Sequence, residues 1–156
     1  MVTARESSLC DRLCDQLVVT TGAPGAGGTR RASAHLPPDR DSAARARELV
    51  RSTFQQSGCD DDSLLERLVL MTSEVVTNAI LHAKTDIDLV ITVDGCQARL
   101  EVSDHSEARL APVEAPALDD TSGRGLFVVT ALADDWGVVD LEGGKGKTVW
   151  IQLAVR

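Results

Sequence analysis

The sequence predicts an α+β fold, a two-layer sandwich of a mostly antiparallel sheet with helices on one face. Three observations carry that expectation. Apolar residues recur at helical spacing across 62–83, and the spacing changes to strict alternation across 87–103. Two glycine-bearing turns, Asp94-Gly95 and Gly143-Gly144, then join strand-like runs into hairpins.

The elements follow in order. Residues 1–31 read as a flexible N-terminal segment, in which a short weak helix over 8–18 runs into TTGAPGAGGTRR, too rich in Gly and small residues to pack. Residues 32–156 read as one domain. A first strand over 33–36 is stopped by Pro37-Pro38, after which Asp39 or Asp41 caps a helix to about residue 57, with Gly58 as its stop. The acidic run Asp60-Asp61-Asp62 suits a helix N-terminus, and Leu64, Leu65, Leu68, Val75, Val76, Ala79 and Ile80 give the second helix a broad apolar face as far as Ala83. Ile87, Leu89, Ile91 and Val93 alternate with other residues before the Asp94-Gly95 turn, and Ala98, Leu100 and Val102 alternate after it. Residues 105–121 are polar and broken, a long loop of the kind that is usually functional. A helix over 122–134 opens on a glycine pair, and strands over 136–141 and 147–155 close the chain.

Composition narrows the function. With 156 residues and 43% apolar content the chain can build a proper core, and with 3% aromatics that core is aliphatic. A net charge of −8 argues against duplex DNA, whose binding depends on Lys and Arg set against phosphates. The first residues lack the pattern of a signal peptide and no apolar run is long enough to span a bilayer, so a cytoplasmic protein without membrane contact is expected. Cys10, Cys14, Cys59 and Cys96 lack zinc-site spacing and read as free thiols.

Glu74, Asn78 and His82 stand at successive i, i+4 positions, a polar stripe on an otherwise apolar helix. Taken alone, Glu-x-x-x-Asn is most often a solvated face. Two glycine segments invite a phosphate reading. Gly146-Lys147-Thr148 fails as a P-loop, because Leu141 stands where the first glycine belongs and a strand follows. Gly123-Arg124-Gly125 fails as a dinucleotide fingerprint, because Val128 occupies the third glycine position. A glycine pair opening a helix still leaves free N–H groups at a positive dipole end, a competent anion site.

Together the pieces are more specific. Glu-x-x-x-Asn-Ala-x-x-His-Ala, a hairpin ending Val-Ser-Asp, Gly-Arg-Gly-Leu opening a helix, and Gly-Lys-Thr-Val-Trp occur in the order that resembles the Bergerat (GHKL) ATP-binding fold of gyrase, chaperone ATPases and histidine kinases. Within it the chain is most similar to the single-domain anti-sigma-factor serine/threonine kinases of actinobacteria, over roughly residues 33–154. That resemblance implies ATP and Mg²⁺ as cofactors, with Asn78 holding the metal and Glu74 as general base. It implies Asp104 on the adenine amino group, Gly123, Arg124 and Gly125 at the phosphates, and Thr148 near the base. Its Asp-x-Gly appears here as Asp104-His105-Ser106. Lys147 and Arg124 would add charge near phosphate, and His82, which matches a histidine of relatives, reads as a structural or rim residue. The implied partners are a sigma factor and an anti-sigma-factor antagonist, with a homodimer plausible and no direct contact with nucleic acid. The implied activity is phosphorylation of the antagonist, and the alternative is a non-catalytic partner-binding module with a weakened nucleotide site.

Overall fold

The computed structural model describes residues 17–18, 28–107 and 124–154. Its elements are β1 (Leu17–Val18), β2 (Arg30–Leu36), α1 (Ser42–Ser57), α2 (Asp62–Asn78) with a π-helical turn at Ala79–Ala83, β3 (Ile87–Asp94), β4 (Gln97–Asp104), α3 (Arg124–Leu132), β5 (Asp135–Asp140) and β6 (Lys147–Ala154). The strands form one sheet in the order β1-β2-β3-β4-β6-β5, and every neighbouring pair is antiparallel. The α+β sandwich expected from the sequence is the fold observed.

The sheet places one face of each strand in the core. Ile87, Leu89, Ile91 and Val93 on β3 are buried, as are Ala98, Leu100 and Val102 on β4 and Val149, Ile151 and Leu153 on β6. Leu49, Val50 and Phe54 of α1 and Leu64, Leu68, Met71, Val75 and Val76 of α2 pack onto that face. Burying a Leu such as Leu68 contributes about 1.5–3 kcal/mol. The opposite face has its own order. The Arg99 guanidinium lies 4.7 Å from the centre of the Trp150 ring, and a Cβ on Gly137, opposite Trp150 in register, would sit 2.8 Å from that ring.

Local chemistry explains the helix ends. Asp61 accepts from the Leu64 N–H at 2.8 Å and caps α2, as the acidic run suggested. At α1 the work falls to Asp39, whose Oδ1 accepts from the N–H groups of Asp41 and Ser42 at 3.0 and 2.9 Å. Gly58 ends α1 at φ 80°, where a side chain would be strained. At the far end of the sheet, Arg67 of α2 donates to the carbonyls of Leu132 and Ala154, tying α3 to β6.

Several boundaries differ from the sequence reading. β2 starts at Arg30 instead of residue 33, because its pairing runs back to Val93 of β3. Leu17–Val18 is a strand paired with Ala34 and Ser33, where a helix was expected; a partner strand satisfies its backbone, and the rest of that expected helix lies outside the described residues. The expected loop is described only at 105–107.

Candidate functional site

The polar stripe of α2 ends at a cavity. Asn78 and His82 line it from the helix, Asp104 from the end of β4 and Lys147 from the start of β6, over an apolar floor that includes Val75, Val102, Leu126 and Val149. The helix reaches this point in an altered form. Lys84 donates its N–H to the Ala79 carbonyl at 3.3 Å, closing a π turn, and Lys84 itself stands at φ 54°. Such turns often mark functional positions in helices. The cavity measures about 30 Å³, against roughly 300 Å³ for the smallest ordinary ligand pockets. It is a small niche between the end of α2, the end of β4 and the start of β6.

Asp104 and Lys147 dominate the niche. They are opposite each other in the β4–β6 register and are only 5% and 7% exposed. Lys147 Nζ lies 3.1 Å from Asp104 Oδ1 and 3.0 Å from Oδ2. The Ser106 N–H donates to the same Oδ1 at 3.0 Å, so the carboxylate is held from two sides. Two buried charges in one place need this pairing, since either alone would be strongly unfavourable in so apolar a setting. Ser106 fits without strain. Among the described residues Lys84 is the one non-glycine with positive φ, so the backbone at Ser106 demands no glycine.

A glycine does matter nearby. Gly146 has φ 134°, and a Cβ there would run into the Asp104 carbonyl oxygen, with the Leu141 side chain and the His105 Cα close behind. The close approach lets β6 begin hard against the end of β4. Sequence reasoning met Gly146 only as a failed P-loop residue; its close approach to Asp104 depends on two strands that are not adjacent in the chain.

The structure brings some of the expected residues together and separates others. Asn78 and Asp104 share the cavity, and His82 is an exposed residue at its rim. Glu74 sits one turn before Asn78, half-buried and outside the cavity lining. Arg124 and Gly125 begin α3, whose Leu126 reaches the cavity, so the amino end of that helix opens toward it. Gly123 lies outside the described residues. Thr148 is not among the residues that line the cavity. Successive strand side chains alternate in direction, so with Lys147 facing the cavity Thr148 faces the other way, where its Oγ1 is 2.7 Å from Ser103 Oγ. Lys147, expected to add charge near phosphate, has its ammonium 3.0 Å from Asp104 Oδ2.

A second ionic cluster occupies the same end of the sheet on its outer face. Asp88 lies 2.7 Å from His35 Nδ1 and 3.1 Å from His105 Nε2, all three about half exposed. Hydrogen bonding to Asp88 raises the His35 pKa above its ordinary value. Burial pushes the Asp88 pKa up, but the hydrogen bonds from His35 and His105 outweigh it and the net shift is downward.

Comparison with known proteins adds to this geometry. A family model described as a histidine kinase-like ATPase domain matches residues 36–153. Similar solved structures include that of the RsbU and RsbW domains of Rv1364c from Mycobacterium tuberculosis, with 21% identity and a TM-score of 0.57. That match covers 78% of this chain and 32% of the other, so the chain spans about a third of the longer protein. A search of curated proteins returns no match. No helix among the described residues is long and apolar enough to cross a membrane.

Proposed function

Because the chain belongs to the histidine kinase-like ATPase domain family, we propose that it is a cytoplasmic anti-sigma regulatory factor that uses Mg-ATP to phosphorylate a serine or threonine of an anti-sigma-factor antagonist. The observation that carries the reading is the convergence of Asn78, from a helix, and Asp104, from a strand distant in sequence, on one cavity. The family match and the fold shared with the RsbU–RsbW structure support it.

The residues suit the ligand. The apolar floor is of the kind on which a purine face packs, and Asp104 offers acceptor atoms to its amino group. The Asn78 amide oxygen is a hard donor of the kind Mg²⁺ prefers. The first turn of α3, by the general property of helix amino ends, offers N–H groups to phosphate oxygens. When bound, ATP would supply the transferable phosphoryl group and Mg²⁺ would offset its charge. The chain's own residues position: Asp104 orients the base, Asn78 fixes the metal end, and Glu74 accepts the proton of the attacking hydroxyl. Partner exchange between a sigma factor and the antagonist then reads out the phosphorylation state, with the protein acting as a homodimer.

A second reading is a non-catalytic module that sequesters a partner. It is favoured by one observation, that Lys147 already occupies the carboxylate a base would seek. Labelled ATP separates the two. The kinase reading expects transfer of the γ-phosphoryl label to serine or threonine of the antagonist protein and none by Asn78→Ala; transfer at the wild-type rate by that variant contradicts it.

A further inference from the structure

We propose that Lys147 is a base-reading residue, donating a hydrogen bond to the ring nitrogen beside the amino group of adenine while Asp104 accepts from that amino group. The inference rests on the nucleotide reading above and adds a specificity determinant to it.

Register and alternation place the two side chains. Asp104 and Lys147 are opposite each other on neighbouring strands and face the same cavity. Lys147 Nζ is within 3.1 Å of both Asp104 oxygens, and Ser106 N–H holds Oδ1. A group in this position serves the carboxylate end of the site and is too committed to it to act as a mobile phosphate clamp.

The chemistry of the pair fits one kind of edge. An ionised carboxylate only accepts hydrogen bonds and an ammonium only donates them. Side by side they present an acceptor next to a donor. Adenine presents the complement, an amino donor next to a ring-nitrogen acceptor. Guanine presents a carbonyl acceptor next to a ring N–H, the reverse order. Because the strand register, the burial and the Ser106 N–H fix which group stands where, reversing the order requires both buried side chains to exchange places. The same pairing keeps Asp104 from being a lone buried charge when no base is bound.

The test is a calorimetric titration of the full chain with Mg-ATP, with its 1-deaza analogue, in which that ring nitrogen is a C–H, and with Mg-GTP. The wild type should bind the 1-deaza analogue at least about tenfold more weakly than ATP, as expected for losing a hydrogen bond to a charged donor. Lys147→Met should bind ATP and the analogue alike, and Lys147→Gln, which keeps a donor, should recover part of the preference. Circular dichroism at the titration temperature shows which variants are folded. Should Lys147→Met fail to fold, the wild-type comparison still decides. ATP binding indifferent to the ring nitrogen, or a preference that survives in Lys147→Met, overturns the inference while leaving the nucleotide reading standing. A wild type that binds no nucleotide overturns both.

Discussion

Two ionic clusters share one end of the sheet and differ in almost everything that gives an ion pair its weight. Asp104 and Lys147 face the helices and are nearly sealed from solvent, whereas His35, Asp88 and His105 face outward and stay half-exposed. They are one register step apart: Ile87, beside Asp88, is the partner of Asp104. The hydrogen-bond lengths are similar, 3.0 Å for Lys147–Asp104 and 2.7 to 3.1 Å for the histidine pairs. Geometry alone therefore does not rank them. Burial does, because water screens the outer cluster and cannot compensate for losing a partner in the inner one.

The largest expected effect follows from breaking the inner pair. Lys147→Met leaves Asp104 buried without its counter-charge and should cost about 3–5 kcal/mol of unfolding free energy by urea titration. A loss below 1 kcal/mol would place both clusters in the same class. Next comes Gly146→Ala, which forces a side chain into a left-handed backbone and against the Asp104 carbonyl. It should cost about 1–3 kcal/mol, and the same assay reads it.

The outer cluster should respond weakly and with a pH signature. Asp88→Asn should cost about 0.2–1 kcal/mol, less in high salt. His35 has a raised pKa, so its contribution is complete below 6.5 and is lost as pH rises through the raised value. Asp88 has a lowered pKa, so its contribution is complete above 3.8 and is lost as pH falls through the lowered value. Both hold between those limits, and thermal melts of wild type and Asp88→Asn should differ most there. Equal differences at pH 5 and pH 9 would contradict this account. The smallest effect is chemical. Hydrogen bonding to Cys59, with burial and the acidic Asp60 and Asp61 adding, pushes the exposed Cys96 thiol up to about 11. Iodoacetamide at neutral pH should therefore label it more slowly than an ordinary surface cysteine, and rapid labelling would exclude that environment.

Much of the fold was legible because its signals are local. The apolar spacing of Leu64, Leu68 and Val75 marks α2, and the alternation around Asp94-Gly95 marks the β3–β4 hairpin, each within one short window. What escaped depends on distant partners. Leu17–Val18 is a strand only because Ser33 and Ala34 are there to pair with it. The π turn after Asn78 leaves no composition signal.

The site was half legible for the same reason. Asn78 and Asp104 stood out by residue type and by motif order. The role of Lys147 depends on the β4–β6 register, which brings together strands separated by α3 and β5. Thr148 and Lys147 differ by one residue, and in a strand one residue changes the face. The same alternation that turns Thr148 toward Ser103 turns Lys147 toward Asp104.

The most direct test of the central claim, that Asp104 and Asn78 mark the base and metal ends of one Mg-ATP site, is isothermal titration of the wild type and Asn78→Ala with Mg-ATP. The account predicts micromolar binding by the wild type and its loss in Asn78→Ala with the fold intact. No heat of binding from the wild type up to millimolar Mg-ATP, or equal affinity in the two proteins, would contradict it.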